Sequence, residues 1–152
     1  MSFVEFLRDA RKELSMADHI YSVALPVVQD KKVFLSILAH LNKSVYFGIR
    51  AYLLKQRELK KLRMLPESED LSRRLFFQEY TQILGIVTSE AHILNELNLL
   101  VQAHKKSMNE VKRGNSYVIF LPNFETVTVN PENLKRYLST ARNFINKVER
   151  GI

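Results

Sequence analysis

Positive charge is the feature of this sequence most able to do chemistry. Lys55, Arg57, Lys60, Lys61 and Arg63 fall within nine residues, and Arg73 and Arg74 follow ten positions later. Ammonium and guanidinium groups at that density can contact successive phosphates of RNA or another nucleic acid. These seven residues are the candidates for phosphate contact, with Arg73 and Arg74 secondary. Part of the cluster has a structural explanation, because cations near a helix C-terminus are stabilised by the aligned peptide dipoles, by about 0.3–1 kcal/mol each. Five exceed what capping requires. The acidic run Pro66-Glu67-Ser68-Glu69-Asp70 follows directly and is placed to fold back and neutralise them.

Other chemistry is thinner. The chain has no cysteine, which excludes disulfides, thiolate nucleophiles and Cys-based zinc sites. It has no Gly-rich phosphate loop, no GxSxG elbow and no HExxH pair. His19, His40, His92 and His104 form no pair at a metal-binding spacing, so they read as hydrogen-bonded helix residues, with His104 on an apolar stripe the least exposed. Glu79, Glu90 and Glu96 could hold Mg²⁺ if neighbouring helices brought them together, but they sit in no acidic motif. No catalytic residue, metal or cofactor is therefore expected. Tyr46, Phe47, Tyr117 and Phe120 could stack on bases, although most should be core.

The elements that position these groups are mainly helical. One stretch, from Lys32 to Leu62, is apolar nearly all round: Phe34, Ile37, Leu38, Leu41, Val45, Ile49, Tyr52 and Leu53 leave only the stripe Ser36, Lys43, Arg50 and Arg57 polar. A helix with so wide an apolar surface needs neighbours on several sides. Before it, Phe3, Leu7, Ala10, Leu14, Ala17, Tyr21, Ala24 and Val28 line one face of a helix read from Ser2 to about Val28. Pro26 should kink or stop that helix near Ala24 to Leu25. Gln29 and Asp30 then make the turn, with Asp30 as cap.

A third helix starts at Ser68 to Asp70, breaks or bends around Gly85 to Ser89, and resumes to Val111, where Lys112-Arg113-Gly114-Asn115 ends it. SYVIFLPNFETVTV, β-branched and aromatic about a Pro-Asn centre, reads as a β-hairpin. Asn130-Pro131-Glu132 opens a last helix carrying Leu134, Leu138, Ala141, Ile145 and Val148 on one face. The predicted fold is mainly α: an antiparallel bundle of about five helices around a long central helix, with one small hairpin before the last. At 152 residues a single domain covering 1–152 is expected. A net charge of +7 and a pI near 9.7 suit an acidic partner and also simple solubility. No apolar run approaches the ~20 residues that span a bilayer, and MSFVEFLRDARKE carries charge where a signal peptide is apolar, so a cytoplasmic protein without membrane contact is expected.

DARKELSMADHIYSVALPVV followed by VFLSILAHLNKSVYFGIRAYLL resembles the first two helices of HEPN domains, small helical bundles of prokaryotic toxin, RNA-processing and nucleotidyltransferase-associated systems. Catalytic HEPN ribonucleases carry an Arg followed after four to six residues by a His, usually across a dimer interface. Here Arg11 and His19 have seven residues between them, so the motif is absent. The resemblance implies a noncatalytic, homodimeric binding or assembly module. The closing segment from Ser116 is similar to the C-terminal portion of uncharacterised archaeal helical proteins. The surrounded central helix is also similar to the ribonuclease III fold, whose acidic signature Asn95-Glu96-Leu97-Asn98 matches only loosely.

Three functional readings follow. The first is a noncatalytic module that contacts nucleic acid through the basic patch. The second is a protein-interaction module using the hairpin edge, near Val118 to Phe120, or helix faces for a partner or a second copy, and the third a metal-dependent nuclease built on the scattered carboxylates.

Overall fold

In the computed structural model, the described residues are 1–28, 30–105, 110–114, 116–120 and 125–152, without the side chains of 110–112. The chain is mainly helical, as its periodicity predicts. Helix α1 (Phe3–His19) opens with a reciprocal cap in which Ser2 Oγ accepts from the Glu5 amide at 3.2 Å and Glu5 accepts from the Ser2 amide at 3.1 Å. Its α-form ends earlier than expected. A single π-helical turn follows at Ile20–Ala24, where the Leu25 amide donates to the Ile20 carbonyl at 2.9 Å. Pro26 has no amide hydrogen with which to continue a helix. Val28, expected on the buried face, is exposed beyond that turn.

Asp30 caps α2 (Lys31–Glu58) by accepting from the Val33 amide at 2.9 Å. At 28 residues this helix is about 42 Å long. α1 and three later helices, α3 (Glu69–Glu79), α4 (Thr88–Lys105) and α5 (Pro131–Gly151), all contact it. All eight of its predicted apolar residues are buried, from Phe34 to Leu53. α2 meets α5 at Gly48, where an added Cβ would lie 2.8 Å from Ile145 Cδ1 and 3.0 Å from Phe144 Cε1. The helices touch there because Gly48 has no side chain. α2 stops four residues short of Leu62 in a two-bond cap: the Lys61 amide donates to Gln56 O at 2.9 Å, and that of Lys60 to Arg57 O at 3.0 Å.

α3 starts where predicted, with Ser68 as its cap, accepting from the Leu71 amide at 3.1 Å. The break before α4 is also real and includes Gly85 at φ +72°. α4 is described as far as Lys105 and does not reach Val111, because Glu110–Arg113 forms a strand, β1. The physical reason lies in Gly114, whose φ of +63° serves a tight strand reversal as readily as a helix end. β1 pairs antiparallel with β2 (Ser116–Phe120), in register Arg113 with Ser116. β2 pairs antiparallel with β3 (Thr126–Val129), in register Tyr117 with Val129, as the hairpin reading requires. The Pro-Asn centre of that hairpin lies outside the described residues, as does Gln29.

The sheet order is β1-β2-β3, so Val118 to Phe120 is the central strand rather than an edge. Tyr117, Ile119 and Val129 turn inward onto the start of α2, where the Tyr117 ring meets Phe34 edge-on at 5.3 Å between centroids. Asn130 caps α5 by accepting from the Asn133 amide at 2.8 Å, with Pro131 as its first residue. The predicted face of α5 is buried, and Tyr137 and Phe144 join it.

Candidate nucleic-acid interface

The end of α2 and the chain leading to α3 carry the predicted patch. Arg57, Lys60, Lys61 and Arg63 are exposed, and none of them is ion-paired among the described residues. The acidic run does not fold back on them. Glu69 pairs instead with Arg73 at 3.2 Å, while Glu67 and Asp70 are exposed and have no ion pair among the described residues. Lys55 stands apart from these cations, half-buried, with its ammonium 4.7 Å from the centre of the Phe3 ring. Arg74 is exposed and shares a shallow cleft with Met64, Leu65, Pro66, Leu71, Leu75 and Gln78. Four cations of the patch and Arg74 therefore face solvent together with an apolar surface that includes Met64, 79% exposed.

A half-buried guanidinium holds the chain after α2 in place. Arg50, expected on the polar stripe, donates to the Pro66 carbonyl at 2.9 Å and to Ser72 Oγ at 3.3 Å. It also lies 5.9 Å from the Phe6 ring centre, joining α1, α2 and the start of α3. Lys60 adopts φ +61°, a left-handed conformation that glycine tolerates best.

Arg73 does not belong to that surface. It is only 5% exposed, and its Nη2 donates to Asn42 Oδ1 at 3.1 Å, to the Asn42 carbonyl at 3.3 Å and to Glu69. Its helical position explains this: one residue round the α3 axis from Arg74, it points toward α2. Burial pulls its acidity toward the neutral form, opposed by Glu69, yet a guanidinium so far above neutrality stays charged. Arg73 Nε and Nη1 have no hydrogen-bond partner among the described residues, and the Tyr46 ring lies 5.8 Å from its Cζ. The network continues through Asn42 Nδ2 to Asn98 Oδ1 at 3.1 Å, which also accepts from Gln102 at 3.4 Å. Sequence reading missed this polar seam between α2, α3 and α4. Its one available signal was Asn42 on an otherwise apolar face.

The alternative chemistries find less support. Glu96 accepts from the Tyr137 hydroxyl at 2.8 Å, Glu90 pairs with Lys147, and Glu79 is exposed at the end of α3. Burial and the Glu96 carboxylate push the Tyr137 phenol well above its usual range. Among the described residues, no three His, Asp or Glu side chains gather as a metal site. His104, expected to be the least exposed histidine, is exposed, whereas His40 is half-buried against Glu13. Tyr117 is buried, Tyr46 and Phe47 are half-buried, and Phe47 packs on Phe6 at 5.9 Å. No described helix is long and apolar enough to cross a membrane. Comparison with protein families, curated proteins and solved structures finds no match to this chain.

Proposed function

We propose that the chain is a noncatalytic module that binds single-stranded RNA or a similar nucleic acid through Arg57, Lys60, Lys61, Arg63 and Arg74. The observation that carries the reading is the set of exposed, unpaired cations where an acidic run stood ready to neutralise them. Lys60 adds to it, because a charged side chain occupies a backbone position better suited to glycine. The likeness of the first two helices to HEPN domains points the same way and supports a homodimeric assembly.

Binding of a short, mixed-sequence single-stranded RNA across a salt series tests the reading. Each phosphate contact adds about 0.7 to the slope of log affinity against log salt. Lys61→Ala combined with Arg63→Ala should flatten that slope by about 1.4. An unchanged slope would remove these residues from the interface, and absence of binding at low salt would make the patch a solubility feature.

A further inference from the structure

The cleft between α3 and α4 has the chemistry of a nucleotide pocket. Its volume of about 320 Å³ is near the lower end for ligand clefts, about 300–1,000 Å³, and far too small for a duplex. α3 supplies Arg73, Arg74, Phe77 and Gln78, two pairs each one helical turn apart. α4 supplies Asn95 and Asn98, spaced to share a face. The exposed Gln78 and Asn95 carboxamides, each both donor and acceptor, can read the edge of a base, and the half-buried Phe77 ring offers a stacking surface. Asn98 can add a donor while its Oδ1 accepts from Asn42 and Gln102. Asp70 at the rim can accept from an exocyclic amino group.

Two further observations separate this cleft from an ordinary crevice. Arg73 lines it and is only 5% exposed, held by Asn42 and Glu69, so the cleft is flanked by a fixed positive charge. Arg74 and Gln78 line both this cleft and the shallow one shared with Met64 and Pro66, so the pocket adjoins the chain that follows Arg63 of the patch.

We propose that this cleft takes one unpaired nucleotide, its base against Phe77 and the carboxamides and its phosphate on Arg74. The pocket is a second determinant beside the patch, and its strand-bound form rests on the nucleic-acid reading of that patch. The same chemistry fits a free nucleoside monophosphate, which the test separates.

The test uses the intact chain, labelled single-stranded RNA in a salt series, and the four nucleoside 5′-monophosphates followed by amide chemical shifts. The variants are Phe77→Leu and the double variant Gln78→Ala with Asn95→Ala, whose two side chains are exposed and make no hydrogen bond among the described residues. Both variants should weaken RNA binding about tenfold, the loss of one stacked and paired base, with the salt slope unchanged. RNA binding equal to wild type in the double variant would overturn the pocket and leave the patch standing. Binding of a monophosphate but not RNA, lost in the variants, would establish a free-nucleotide site and refute the patch. Binding of neither would overturn both.

Discussion

Lys60 shows how much one residue can reveal about a surface. At φ +61° it closes α2 where glycine would fit without strain, and its side chain extends the basic patch. Stability and binding therefore oppose each other at this position. Lys60→Gly should raise the unfolding free energy by up to about 1 kcal/mol, since the left-handed strain of an L-residue disappears. The same variant should bind single-stranded RNA more weakly. Denaturant unfolding and anisotropy on one preparation check both, and a variant that is more stable and binds equally well would show that the lysine charge makes no contact. Arg73 carries a different lesson. Its sequence position beside Arg74 suggested a shared role, but one step of 100° round a helix turned it inward to Asn42 and Glu69.

At the scale of elements, the bundle is closed by a contact between its two ends. Arg11 of α1 meets Glu149 and Asn146 of α5 through its guanidinium. The hydrogen bond from Arg11 holds the Glu149 carboxyl below its usual range, so the pair contributes stability present above the ordinary carboxyl value, about 4.3. That contribution is lost as pH falls through the depressed folded value. Both side chains are more than a third exposed, which keeps the effect small and salt-sensitive. Urea unfolding should find wild type more stable than Glu149→Gln at pH 7, with the gap closing as pH falls below the ordinary carboxyl range. A gap independent of pH would mean that the pair is not ionic.

Most of the elements were legible in the sequence because their signals are local. Asp30 and Asn130 announce their helices as capping side chains, each makes the predicted bond, and Ser68 caps the helix expected to start there. The all-round apolarity of α2 likewise implied its central place. The failures lie where one local signal serves two structures. Gly114 fits both a helix end and a strand reversal, which hid β1 and with it the central position of β2. The patch was legible as charge, but its freedom from Glu69 and the Asn42, Asn98 and Arg73 seam depend on contacts between residues far apart in the chain.

For the whole molecule, a charge of +7 says only that acidic partners are attracted. The fold adds direction by leaving cations unpaired at one end of α2 while ion pairs absorb others, as with Arg142 and Asp18 at 3.2 Å. A three-stranded sheet lies at the opposite end of α2, against Phe34. Nucleic acid should therefore engage the C-terminal end of α2, α3 and the facing side of α4, and leave the sheet unperturbed.

Mapping amide chemical-shift changes on titration with short single-stranded RNA tests that claim most directly. The expected result is a contiguous set of shifts at residues 57–63, 70–78 and 95–98, diminishing as salt is raised. Shifts confined to β1, β2 and β3, or none at low salt, would contradict the account and return the molecule to the search for a protein partner.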